Sequence, residues 1–142
     1  MSSAGQQLIA NRIPGERVAV NINTANSANV TSEAITDTVT APVVSGRTYR
    51  VTFSASVTGG AAERFLARVR LTNISGTILN TGRFQVTVAT NYYCRFEAEF
   101  VAGSTGNQVI VVTLQRETAV ANVVRVGNAT QPAHLYVDYI SG

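Results

Sequence analysis

At 142 residues, with 45% hydrophobic and 13% charged residues, the chain is long enough to bury a core and too apolar to stay disordered. Its net charge is +3, and its eleven cations are all arginines, scattered along the chain. That scatter is not the concentrated basic patch of a nucleic-acid binder, so no nucleic-acid partner is expected. Cys94 is the only cysteine, which excludes an intrachain disulfide. No stretch approaches the roughly 20 apolar residues of a membrane helix.

Residues 1–16 are polar, with Leu8, Ile9 and Ile13 as isolated apolar points before the Pro14-Gly15 turn signal. The segment lacks the charged start and long apolar run of a signal peptide, so synthesis in the cytoplasm is expected. It reads either as a passive leader or as an arm that docks on a neighbouring subunit, and the domain proper is expected over 17–142.

From Arg17 the pattern turns to strands. Arg17 to Asn23 alternates, with Val18, Val20 and Ile22 on one side. Val30 to Ala41 is a Thr-rich, partly exposed strand that Pro42 should end or bend. Thr48 to Thr58 is the clearest case, with Tyr49, Val51, Phe53, Ala55 and Val57 on one face and hydroxyl residues and Arg50 on the other. Arg64 to Thr72 repeats it, with Phe65, Ala67, Val69 and Leu71 inward. Ile78 to Val88 is a strand expected to break near Thr81-Gly82. Tyr92, Cys94, Phe96, Ala98 and Phe100 face inward on the next. Gln108 to Arg116 is apolar on both faces, as in a central or covered strand. Val123 to Val126 and Leu135 to Ile140 follow, the last expected to pair inside a sheet. No helix signal competes. The pattern predicts an all-β antiparallel β-sandwich, jelly-roll-like, of about nine short strands.

Few residues suggest chemistry. Glu97 and Glu99 sit about 7 Å apart on one strand face, a spacing that glycoside hydrolysis can use. Two solvent-facing acids paired with arginines on neighbouring strands explain them better. Cys94 and His134 are the available thiol and imidazole, but Cys94 falls on an inward face and reads as a small buried filler. One His and one Cys cannot close a zinc site, and no cofactor motif occurs. Arg64, Arg68 and Arg70 form a stripe on one strand face, suited to an interface or to simple solvation. Tyr93, Tyr136 and Tyr139 could supply contact area at an interface or a glycan platform.

Four segments carry a family likeness: Thr36-Asp-Thr-Val-Thr40, Val44-Ser-Gly-Arg-Thr-Tyr-Arg-Val51, Val111-Val-Thr-Leu-Gln-Arg116 and Leu135-Tyr-Val-Asp-Tyr-Ile140. From about Ser32 to Gly142 the chain resembles small β-sandwich virion domains of tailed phages that infect actinobacteria. The resemblance implies a non-enzymatic structural protein on the particle, a capsid decoration or head fibre, with a minor tail protein or a receptor- or glycan-binding tail module as the alternative. It implies partners to match: a homo-oligomer, often a trimer, the phage major capsid protein or tail proteins, and a host surface glycan. The expected location is the virion, and the matched segments carry no catalytic residues. An arm holding Leu8, Ile9 and Ile13 would then supply the assembly contact.

Overall fold

The structure is a computed structural model that describes residues 13–86, 92–117 and 123–142. Nine strands occur in chain order: β1 (Arg17–Asn23), β2 (Ala34–Val43), β3 (Thr48–Thr58), β4 (Arg64–Leu71), β5 (Ile78–Gln85), β6 (Tyr92–Val101), β7 (Gly106–Arg116), β8 (Val124–Val126) and β9 (Ala133–Ser141). They form two antiparallel sheets, one ordered β1-β9-β3-β6 with β8 added on β3, the other ordered β2-β7-β4-β5. This order, with first and last strands adjacent and consecutive strands mostly exchanging sheets, is that of a jelly roll. The chain is therefore an antiparallel β-sandwich, with nine strands among the described residues, as the alternation predicts.

Side chains alternate across each strand, so each sheet turns one apolar face inward. Tyr49, Val51, Phe53, Ala55 and Val57 of β3 meet Phe65, Ala67 and Val69 of β4 and Ile110, Val112 and Leu114 of β7 in one buried core. Leu135, Val137 and Tyr139 of β9 complete it. Cys94 is fully buried there, and desolvation pushes its thiol up to about 12, so it is an inert filler. Thr48 to Thr58, Arg64 to Leu71 and Tyr92 to Val101 keep the inward faces expected of them. β7 owes its two-sided apolarity to its central place between β2 and β4.

Three local features differ from expectation. Pro42 does not end β2; it is paired with Asn107 and the strand runs to Val43. β2 is an edge strand, where a missing N–H costs no ladder bond. β5 does not break at Thr81-Gly82 either, and its irregularity falls one step earlier, between the partners of Val69 and Arg70. Gly82 serves packing instead: a Cβ there would lie 2.6 Å from the Phe84 ring, which stacks on Phe65 at 5.4 Å. Finally, a bulge between Arg17 and Ala19 splits the apolar set of β1. Val18 packs on the core, while Val20 and Ile22 turn out to solvent, 49% and 54% exposed.

The open sides of the sandwich are tied by asparagines. Asn21 of β1 donates to the Thr38 carbonyl of β2 at 2.7 Å, and Asn80 of β5 donates to the Glu97 carbonyl of β6 at 2.7 Å. Each bond occupies an edge carbonyl that would otherwise be free to pair with another chain.

Candidate functional site: the outer faces of the two sheets

On the outer face of the β2-β7-β4-β5 sheet, the arginine stripe is closed on one acid. Arg70 grips Glu33 through Nε and Nη2, at 2.8 and 3.0 Å, in a bidentate pair. Arg68 Nη1 lies 3.4 Å from the same carboxylate and donates to Gln115 at 2.7 Å. Thr113 adds a hydroxyl donor to Glu33 at 2.6 Å. The Arg70 bond, helped by Thr113, holds the Glu33 carboxyl below the usual carboxylate range although burial opposes it. Arg70 also donates to the Gly76 carbonyl, so Arg68 and Arg70 are mostly buried and committed within the chain. Arg64 remains exposed at the start of β4.

The tyrosines separate three ways. Tyr139 is a correction to the expected surface set: it is 5% exposed, packs on Tyr49 at 5.9 Å and donates its hydroxyl to the Gly142 carbonyl. It is inward because Leu135, Val137 and Tyr139 share the buried phase of β9. Tyr136 is on the outer face but lies under the Arg17 guanidinium at 3.8 Å. Tyr93 is 63% exposed. Of the expected arm contacts, Leu8 and Ile9 lie outside the described residues. Ile13 is 74% exposed, beside a turn held to Tyr139 by backbone bonds from Gly15 and Glu16, the Gly15 amide donating to the Tyr139 carbonyl and the Tyr139 amide to that of Glu16.

The outer face of the β1-β9-β3-β6 sheet is divided. One end is a charged ladder: Arg50 meets Glu97 at 3.4 Å and Glu99 at 2.9 Å, Arg95 meets Glu97 at 3.4 Å, and Arg17 meets Asp138 at 3.3 Å. Glu97 and Glu99 are thus paired across strands, as their exposed positions suggest.

The other end holds a cleft of about 220 Å³ lined by Ser54, Ala55, Ser56, Tyr93, Gln131, Pro132 and His134. Its cause is a change of partner along β3. β3 pairs with β9 as far as Ser54 opposite His134, and with β8 from Ser56 opposite Val126, so Ala55 is left between them. The loop joining β8 to β9 is held by Asn128, whose carboxamide oxygen accepts from the Thr130 and Gln131 amides at 2.9 and 2.7 Å. That turn brings Gln131 and Pro132 to the cleft mouth. Tyr93, opposite Ser56 on β6, forms the facing wall. His134, singled out in the sequence only as a possible catalytic partner, and Ser54, Ser56 and Gln131, not singled out at all, are brought together here. The signal available in sequence was the hydroxyl-bearing outer phase of β3.

The sequence also gave no warning of a buried ion pair. Arg125 and Asp37 are 1% and 0% exposed in their side chains and meet at 2.9 Å, joining β8 to β2 across the sandwich. Arg125 further donates to the Ala25 and Thr36 carbonyls at 2.6 and 3.1 Å. Gly127 lets the 24–29 loop close over it, since a Cβ there would sit 2.6 Å from the Ala25 oxygen.

Among the described residues, no group of three or more His, Cys, Asp or Glu side chains could hold a metal ion. No helix among them is long and apolar enough to cross a membrane.

No protein-family model and no curated protein matches the chain. Solved structures do match. The Eiger TNF of S. frugiperda is 11% identical at a TM-score of 0.56, with 92% of this chain and 96% of that one covered. A chain of infectious bursal disease virus, Gx strain, is 9% identical at 0.51, with 89% of this chain and 32% of that one covered. The insecticidal delta-endotoxin Cry8Ea1 of Bacillus thuringiensis is 14% identical at 0.48, and the chain spans 19% of its length. Likeness at such identities speaks for the sandwich fold alone.

Proposed function

We propose that this chain is a non-enzymatic surface protein of a tailed phage particle, a capsid decoration or head-fibre protein that assembles as a small cyclic oligomer such as a homotrimer. The observation that carries it is where the resembling segments fall. Thr36 to Thr40 lies in β2, Val44 to Val51 enters β3, Val111 to Arg116 ends β7, and Leu135 to Ile140 is the body of β9. These strands build the frame, so the likeness is to a scaffold, and contact residues are this chain's own. The exposed Ile13 beside an anchored turn supports an arm leaving the domain there toward a neighbouring subunit or the shell beneath.

A second assignment, a receptor-binding or minor tail module, is favoured by the exposed Tyr93 cleft with Val20 and Ile22 on the same sheet face. Mass spectrometry and cryo-EM of purified particles test the proposal: density for the domain at the capsid or tail surface is expected, and absence from the particle overturns it. Deleting residues 2–13 should leave a folded domain that no longer joins the particle. Normal occupancy of the truncated protein would overturn the arm's role.

A further inference from the structure

We propose that the cleft between Tyr93 and His134 binds one neutral sugar ring of a polysaccharide. This rests on the surface-display assignment above and gives this outer face a ligand class. Three observations point to it.

The first is unengaged hydrogen-bonding capacity. The side chains of Ser54, Ser56, Gln131, His134 and Tyr93 make no hydrogen bond to another described residue. On the opposite sheet face, by contrast, Arg70 and Thr113 bond Glu33, and Arg68 bonds Gln115 beside the same carboxylate. A hydroxyl and a carboxamide each both donate and accept, and an imidazole adds two ring nitrogens. Sugar hydroxyls do the same, so such a lining matches a polyol more closely than it matches an anion.

The second is charge. Among the described residues, no carboxylate, lysine or arginine lines the cleft. Arg95, opposite Ser54, is the nearest cation in register and is directed to Glu97 at 3.4 Å. A phosphate or an acidic sugar would require a free cation there, so the ligand is neutral.

The third is shape. Tyr93 offers an exposed ring against which the C–H face of a sugar can pack, while the serines and His134 reach its hydroxyls. At about 220 Å³ the space is smaller than the roughly 300–1,000 Å³ of pockets for drug-sized ligands. It suits a single ring. Ile22, exposed and paired with the cleft residue His134, extends the same face, so neighbouring sugars of a longer chain have a surface to follow.

The test is a ¹H–¹⁵N NMR titration of the full chain with the methyl glycosides of glucose, galactose, mannose and arabinose at millimolar concentration, then with soluble polysaccharides containing the responding sugar. Shifts confined to Ser54, Ser56, Tyr93, Gln131 and His134 are expected. Tyr93→Ala should weaken binding by about tenfold, and Ser56→Gln, which fills the floor while keeping the Tyr93 ring in place, should do the same. Both sites are on the surface face, so an unchanged fold is read from the remaining spectrum. No response to any glycoside, a response centred elsewhere, or binding unchanged in both variants overturns the assignment. So does a peptide that fills the cleft where no glycoside does. Because the titration uses the isolated protein, its failure is distinct from absence of the protein on particles.

Discussion

The two outer faces of this sandwich use the same kinds of residue to opposite ends. On the β2-β7-β4-β5 face, polar side chains converge on Glu33 and satisfy one another. On the β1-β9-β3-β6 face, the Ser54–His134 end is left open, and Val20, Ile22 and Tyr93 stand in solvent. A polar network that closes on itself rigidifies the fold and offers little to a partner. Polar groups left without internal partners contribute little to stability and are available for binding. Arg68 and Arg70, which the sequence leaves open as interface contacts or a solvated face, are committed within the chain, and the plainer hydroxyl strand β3 carries the candidate site.

The sharpest way to break that division is at the most buried polar contact. Arg125→Met removes the cation from Asp37 and strands a carboxylate that is 0% exposed, one of whose oxygens already has no partner. Loss of one partner of a buried pair costs about 3–5 kcal/mol. Urea denaturation should show a loss of that size. Replacing both residues together, Arg125→Met with Asp37→Leu, should recover much of it. If the single variant is as stable as the parent, this contact is not what locks β8 to β2.

How far such contacts were legible in the sequence differs by element. Strict alternation with an apolar inward phase made β3, β4, β6 and β9 readable, because burial of a sheet face imposes period two. In β1 the same alternation misled, since a one-residue bulge reassigns every later side chain and leaves no mark in composition. Arg125 was illegible for a related reason. In Val124-Arg125-Val126 the arginine occupies the phase opposite two valines, which ordinarily means water. Only the 24–29 loop and Asp37, distant in sequence, turn that phase into the interior. Tyr139 was legible as inward from its phase with Leu135 and Val137, yet as a tyrosine it also invited a surface role. The cleft depends on Ala55 falling between two pairing partners, which no local pattern encodes.

A smaller effect is expected on the closed face itself. Glu33→Gln keeps the shape but removes the charge that Arg70 and Arg68 share, and should cost about 2 kcal/mol at neutral pH, within the usual range for hydrogen bonds to charged groups. The sign with pH follows from the lowered Glu33 pKa. Its stabilising contribution is complete above the ordinary value of 4.5 and is lost as pH falls through the lower folded-state value. The stability gap between parent and variant should thus be widest near neutrality and close in acid. A gap that stays constant to low pH would show that Glu33 acts by packing alone.

The smallest effect concerns the edges, where neither face ends freely. Asn21→Ala and Asn80→Ala each remove one side-chain bond to an edge carbonyl of the opposite sheet. A neutral hydrogen bond in a partly exposed setting contributes about 1 kcal/mol. The two sites lie on opposite sides of the sandwich, β1 against β2 and β5 against β6, so their effects on the urea midpoint should add. A second consequence separates them from ordinary surface substitutions. Each variant frees a backbone carbonyl on an edge strand, so self-association measured by light scattering should rise with concentration, and more in the double variant than in either single one. If the midpoints fall but the proteins stay monodisperse, the asparagines merely fasten the sheets. If association rises with little loss of stability, their chief role is to keep the edges from pairing.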